Sequence, residues 1–474
     1  MILSYSGNAF TECVMSRVNL GAEFFGKEKI GKIILKIAPP VMLAQLIQAL
    51  YNVVDSLFIG RYSGDGLTAL SVIYPFQLIL IALAVGTGVG VNTLMAKHYA
   101  MGRRGDADKT AGTGLFLELV TWAVFAVASI FVLEPYARLQ ASSEQAVTYC
   151  VEYGRIISVG SIGLFLESNW TKVHQAQGNM KTPMIAQIVG AAVNIVLDPV
   201  LIFGFGFVPE MGVKGAAIAT VIGQCAAAVI VGVKAFRKIP SLKEAKKYIK
   251  EIYRLGYPSI LMQSLFTVYI FLLNTILGGF CDDAVTVLGL YYKAQSFFFI
   301  PLFGLQTCIV PVLSYNFNAG DIERCKKIFK TSLVISAAFM AVGIFAFEVL
   351  PVQVLKIFGA GDGVVAIGEN AFRLIGLGFL PSVFSMMTPV YFQAIGASKT
   401  STFLSVLRQL ICLVPIFWAF SLIGLDYCWL SFPISETITG SVGMILYYRE
   451  LKHFHKSEAV FAAEPEINDD SPRD

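Results

Sequence analysis

Long apolar stretches separated by short polar segments recur along nearly the whole chain. A membrane-crossing helix needs about 20 mostly apolar residues, and the pattern places such segments near 36–60, 67–95, 113–135, 152–175, 184–205 and 214–236. Six more follow near 252–280, 285–314, 328–350, 366–394, 400–422 and 427–449. The expectation is an all-α integral membrane protein with twelve transmembrane helices.

Charge supports that count. Lys and Arg should collect in alternate, cytoplasmic loops, and with both termini inside about 29 of the basic residues fall there. The clearest basic loops are Lys97/Arg103/Arg104/Lys109, Arg237/Lys238/Lys243/Lys246/Lys247/Lys250 and Arg324/Lys326/Lys327/Lys330, whereas alternate loops hold Asp282/Asp283 and Asp426. A multi-pass protein of the plasma membrane follows.

A single constant offset superposes the two halves of the sequence. Pro40, Gln45, Tyr51 and Gly60 fall on Pro258, Gln263, Tyr269 and Gly278; Tyr74, Gln77 and Gly86 fall on Tyr292, Gln295 and Gly304; Arg155 and Gly160 fall on Arg373 and Gly378. QAQGNMKT (Gln175–Thr182) matches QAIGASKT (Gln393–Thr400) at five of eight positions without a gap. Apolar helices alike by chance would rarely share polar Gln, Lys and Thr.

Each repeat has an even number of crossings, so the halves are related by an axis along the membrane normal. The predicted architecture is two parallel-repeat six-helix bundles around a central cavity, as in secondary transporters that rock one half against the other. In numbers this gives a cytoplasmic N-terminal segment 1–35, an N-lobe 36–236, a basic linker 237–251, a C-lobe 252–450 and a disordered cytoplasmic tail 451–474.

Composition agrees: 56% of the 474 residues are hydrophobic and 14% charged, against about 25% charged in soluble proteins. A net charge of +4 carried in short loop runs argues against nucleic acid as a partner. The eight cysteines stand singly, without C-x-x-C or a histidine at ligand spacing, so neither zinc site nor disulfide framework is indicated. The N-terminal segment mixes charged and apolar residues and lacks the apolar core and cleavage site of a signal peptide.

Charged residues inside the spans carry the candidate chemistry, because a carboxylate at a helix centre costs about 2.5–3.5 kcal/mol on insertion scales. Asp55 in YNVVDSLFIG and Asp198 in NIVLDPVLIFG are about five and seven residues from the outer ends of spans 1 and 5, roughly 8–10 Å deep at 1.5 Å per residue. Asn194 shares a helix face with Asp198, and Thr220 in GAAIATVIGQ enters span 6 at the same level. Carboxylate, amide and hydroxyl oxygens at one level suit a proton or Na⁺, and the sequence does not choose between them. Alternatively, Asp55 is an interfacial residue and Asp198 caps a turn broken by Pro199.

The repeat places Leu273 and Ile416 opposite Asp55 and Asp198, so ion coupling belongs to the N-terminal half. Pro40 removes a hydrogen bond from span 1 and could kink it, although Pro258 repeats it without an acid. In the second half Lys293, with Tyr291 and Gln295 nearby, and Glu436 interrupt spans 8 and 12; they pair across the bundle or line the substrate cavity. Glu118 and Glu167 are further buried-looking acids. Aromatic residues such as Phe76, Tyr269, Phe297, Tyr391 and Phe392 offer faces to a cation, although packing suffices for each.

Taken together, PP-x4-Q-x5-YNVVDSLFIGR in span 1, N-x3-DP in span 5, GAAIAT in span 6, YNFNAGD ending span 8 and the paired QA-x-G-x2-KT resemble the multidrug and toxic compound extrusion family over about residues 30–450, in its bacterial DinF-like and MepA-like branch. The resemblance implies a V-shaped pair of lobes and export of cationic, amphipathic compounds driven by inward H⁺ or Na⁺, with no other cofactor. It also implies a coupling site at Asp55, Asn194 and Asp198, with Thr220 as the span 6 member. A monomer acting on small organic cations within membrane lipid is expected. Spans 7 and 10, where another branch of the family places essential acids, contain none here.

Two rival functions differ in their needs. A lipid-linked oligosaccharide flippase of the same superfamily would favour a cationic cavity, whereas the predicted N-lobe site is acidic. An intramembrane enzyme would need a metal or nucleophile constellation, and the four histidines, His98, His174, His453 and His455, form none.

Overall fold

A computed structural model describes residues 23–140, 143–206, 208–357 and 360–463, and these are helical almost throughout. A short α1 (Phe24–Lys27) precedes the long α2 (Ile30–Tyr62), α3 (Gly64–Ala100) and α4 (Arg104–Gln140), which form spans 1 to 3. Span 4 is two helices, α5 (Glu144–Gly160) and α6 (Ile162–Ala176); α7 (Lys181–Ile202) and α8 (Val213–Ala235) are spans 5 and 6. The second bundle opens with α9 (Leu242–Gly278), the broken span 8 (α10, Asp282–Phe298; α11, Ile300–Asn318) and α12 (Ile322–Val349). After the short α13 (Pro351–Ile357), α14 (Asp362–Gly376) and α15 (Phe379–Ala394) form span 10 with a 55° bend. Span 11 runs through α16 (Ser398–Val406), a π-helical turn at Leu407–Leu413 and α17 (Val414–Ser421). A short α18 (Leu425–Cys428) leads into α19 (Ser431–Ala463), span 12.

Two of the breaks are related by the repeat. Span 4 breaks at Gly160–Ser161 and span 10 at Leu377–Gly378, and Gly160 and Gly378 are the pair that the repeat superposes. The breaks and polar faces also explain why nine helices of the described chain, or ten counting bent span 10 as one, are by themselves long and apolar enough to cross a bilayer. The two helices of span 4 are 17 and 15 residues long. Span 12 is diluted by Ser431, Ser435, Glu436, Thr437, Thr439 and Ser441.

Three boundaries differ from expectation. Span 1 begins at Ile30 rather than 36 because Ile30, Ile33 and Ile34 already continue its apolar face. The linker is helical from Leu242, so span 7 begins well before residue 252; Leu242–Lys250 carries its basic residues on good helix formers without Gly or Pro. The tail expected to be disordered from 451 is helical as far as Ala463, with AVFAA at its last described positions; residues 464–474 lie outside the described residues, as do 1–22.

The bundles meet along α3 against α9 and α2 against α11, near the end that bears the basic loops. Contact there is backbone to backbone. A Cβ on Gly256 would lie 2.5 Å from the Gly86 carbonyl oxygen, and one on Gly90 would collide with that of Ile252. Ser314 Oγ donates to the Thr93 carbonyl across this seam at 3.0 Å. The C-terminal bundle has the larger core, with Phe347 stacked on Phe372 at 4.6 Å and edge-on rings of Phe299 and Phe379 beside them.

Candidate functional site

Close packing of α7 on α8 assembles the N-terminal site. A Cβ on Gly223 would lie 2.7 Å from the Gly190 carbonyl oxygen and 3.2 Å from Asn194 Cβ. With hydrogen at both positions the helices approach until Asn194 Nδ2 donates to Thr220 Oγ1 at 3.3 Å, while on its own helix it donates to Asp198 Oδ1 at 3.3 Å. Asp198 therefore belongs to a side-chain network; α7 continues through Pro199 to Ile202, so a turn-capping role does not describe it.

Asp55 reaches the same space from α2, which packs along α7. It lies within electrostatic range of Asp198, and Tyr51, one turn before it, is within range of both acids. Asp198 is fully buried and Asp55 nearly so. Asp55 Oδ1, Asp198 Oδ2 and Asn194 Oδ1 are buried oxygens without a hydrogen-bond partner among the described residues. Two carboxylates and an amide sharing buried space with unfilled oxygens form a set that a proton or a hard cation satisfies. All four N-lobe residues picked out from the sequence are thus together.

The site also has a wall that the sequence reading missed. Tyr153 of α5 accepts from Gln77 Nε2 of α3 at 3.4 Å and lies beside Thr220, within electrostatic range of Asp55. The available signal was the repeat of Tyr51, Tyr74 and Gln77 as Tyr269, Tyr292 and Gln295. Pro40, with Pro39, lies inside α2, which stays helical past both, so each removes one amide donor without ending the helix.

The C-terminal half differs from expectation. Glu436 is held by Arg408 through Nε at 3.0 Å to both carboxylate oxygens and Nη2 at 2.6 Å to Oε1, and Ser385 Oγ also donates to it. Its partner is therefore Arg408 and not Lys293, which is exposed. The π-helical turn includes Arg408, and such turns re-aim side chains at functional positions. Tyr291 is buried in the C-lobe core, edge-on to Phe432 at 5.3 Å, so it packs instead of lining an open cavity; Gln295 is buried as well. Tyr269, Tyr391 and Phe392 are likewise core residues, and Phe76 packs on Phe125 at 4.8 Å. A cavity of about 340 Å³ between α15 and α19 includes Glu436 in its wall, with Leu380, Phe384 and Gly440.

The seven described cysteines are free; Cys13 lies outside the described residues.

The sequence model of the MatE family matches residues 40–200 and again 258–418, and the second segment begins and ends at the repeat counterparts of the first. The chain belongs to the MatE family. Its members are transporters and not enzymes. Relatives span most of its length: the multidrug export protein MepA of Staphylococcus saprophyticus is 23% identical over 434 residues, covering 90% of this chain and 95% of that protein. A probable multidrug resistance protein NorM of Thermotoga maritima is 26% identical over 382 residues, 76% of this chain and 80% of its own. These place the chain in the MepA-like bacterial branch. A MATE multidrug resistance transporter solved in an outward-facing conformation superposes with a TM-score of 0.85 at 24% identity over 92% of this chain and 99% of that one. A MOP superfamily transporter from Pyrococcus furiosus, described with a binding pocket of reversed polarity, gives 0.85 at 23% identity over 92% and 98%. The MatE fold is thus present as two six-helix bundles in a multi-pass membrane protein.

Proposed function

We propose that the protein exports cationic, amphipathic organic compounds in exchange for inward H⁺ or Na⁺, with Asp55, Asn194, Asp198 and Thr220 as the coupling site. The observation that carries this reading is the pair of buried carboxylates within electrostatic range of each other, with oxygens left without a partner among the described residues and Asn194 bridging Asp198 to Thr220. An acid pair of this kind in a membrane span is costly unless it trades a cation. The relatives named as a multidrug export protein and a probable multidrug resistance protein support drug-like compounds as cargo.

In the cycle, substrate enters from the cytoplasmic side, the bundles close at the basic-loop end and open outward, and a cation binding between Asp55 and Asp198 favours substrate release. The seam of Gly86, Gly90 and Gly256 supports assigning the closed end to the cytoplasm, since the basic loops lie there. Pro40 supplies a point at which α2 can bend as Asp55 changes partner.

The test is efflux of a fluorescent lipophilic cation from cells expressing wild type or Asp198→Asn at equal levels, with the Na⁺ and pH gradients varied separately. Efflux that depends on one gradient and is lost in the variant supports the reading and names the ion. Undiminished, gradient-independent efflux in Asp198→Asn removes the coupling site, and no efflux from wild type favours the lipid-linked oligosaccharide flippase.

A further inference from the structure

A second carboxylate of the N-terminal bundle is buried more completely than Asp55 and plays no part in the site above. Glu118 of α4 is fully buried, and neither of its oxygens has a hydrogen-bond partner among the described residues. It stands where α3, α4 and α6 converge. Gly114, one turn earlier on α4, touches Val91 of α3 and Asn169 of α6, so closely that a Cβ there would lie 2.5 Å from Asn169 Oδ1. Because α3 and α4 run antiparallel, the turn after Gly114 faces the turn before Val91, which brings Glu118 level with Thr87.

Thr87 Oγ1 and Asn169 Oδ1 are also buried and unpartnered, at 1% exposure each. One further turn along, Leu80, Ala84 and Phe165 with Trp122 and Phe125 close the space with apolar side chains. Four buried oxygens on three helices packed together, two of Glu118 and one each of Thr87 and Asn169, are therefore left without a partner among the described residues within two adjacent helical turns. A carboxyl that simply kept its proton would need a single acceptor and would still leave the other oxygens orphaned. A hard cation of sodium size, by contrast, takes carboxylate, hydroxyl and amide oxygens together.

We propose that Glu118, Thr87 and Asn169 form a second Na⁺-binding site in the N-terminal bundle, separate from Asp55 and Asp198. The consequence is more than one cation bound per chain. The site does not depend on the Asp55/Asp198 reading, because it shares no residue with it.

The experiment is equilibrium binding of radioactive Na⁺ to the purified full-length protein, comparing wild type, Glu118→Gln, Asp198→Asn, the double variant and Thr87→Val. Glu118→Gln keeps the shape of the side chain and removes its charge; it is expected to halve the Na⁺ bound at saturation where Asp198 also takes Na⁺ and to abolish it where Asp198 takes a proton, and the double variant to abolish binding in either case. Thr87→Val keeps the carboxylate and weakens the affinity of the Glu118-dependent fraction. Wild-type binding in Glu118→Gln overturns the proposal, as does absence of Na⁺ binding in wild type. Should Glu118→Gln fail to fold, unchanged affinity in Thr87→Val overturns it too. If Asp198→Asn leaves Na⁺ binding intact while Glu118→Gln reduces it, this site stands and Asp198 is no Na⁺ ligand.

Discussion

The ion pair of Arg408 and Glu436 shows at single-residue scale how a charge is made tolerable inside a membrane span. Both side chains are largely withdrawn from solvent, at 15% and 11% exposure, and the contact uses two guanidinium nitrogens. Removing one partner of a buried pair costs about 3–5 kcal/mol, mostly because the other charge is stranded, whereas replacing both with apolar groups is often neutral. Arg408→Met should therefore lower the unfolding temperature of the detergent-purified protein markedly, and Arg408→Met with Glu436→Leu should recover most of the loss. Thermal unfolding of the two variants side by side checks this; equal destabilisation would remove the pairing argument. Asp55, Asn194, Asp198 and Thr220 were legible in the sequence because polar groups inside apolar runs need a reason to be there, and helix depth brought them to one level. Arg408, a charge inside span 11, carried the same kind of signal as Glu436 and was not picked out from the sequence. What sequence does not contain is which of two cations, Lys293 or Arg408, reaches the acid, because that depends on the local turn of span 11 around its π-helical segment.

Helix spacing decides whether the N-terminal site exists at all. Asn194 reaches Thr220 only because Gly190 and Gly223 let the backbones of α7 and α8 touch. Gly223→Val should push these helices apart, with an overpacking cost of about 1–3 kcal/mol, and should uncouple efflux from the ion gradient before it abolishes expression. Gradient-dependence of efflux measured alongside thermal stability separates the two effects; full coupling in a stable Gly223→Val protein would contradict the argument. At this scale the hydropathy pattern placed the twelve spans, most of them apolar runs of membrane length with few alternatives, although span 4 is split and span 12 is diluted by polar residues. The pattern misplaced the ends at Ile30, where the apolar face starts earlier than the main apolar run, and at Leu242 and Ala463, where the helices extend through charged and polar segments. The paired breaks near Gly160 and Gly378 were present in the repeat, although an apolar run alone does not distinguish a bent span from a straight one.

For the whole molecule, the internal repeat made the two-bundle plan legible before any coordinates, and the doubled MatE match has the same spacing. The repeat could not say where the bundles touch, because the seam is built from glycines, Thr93 and Ser314, whose lack of bulk carries no hydropathy signal. In the proposed cycle this seam parts when the cavity turns towards the basic-loop side. Ser314 Oγ bonds to the Thr93 carbonyl at 3.0 Å, so the two backbones lie side by side there. Cysteines placed at both positions should form a bridge under mild oxidation, holding the seam shut. Efflux should then stop while the coupling site, in the first bundle alone, keeps its cation, and a reductant should restore efflux. The single Thr93→Cys and Ser314→Cys variants, treated in the same way, should transport throughout. If the bridged protein still exported at the rate of the reduced one, the seam would be a static joint and the halves would have to move about some other contact. If bridging abolished cation binding as well as transport, the N-terminal site would be shaped by the position of the second bundle, and the acids of spans 1 and 5 would not form a self-contained unit.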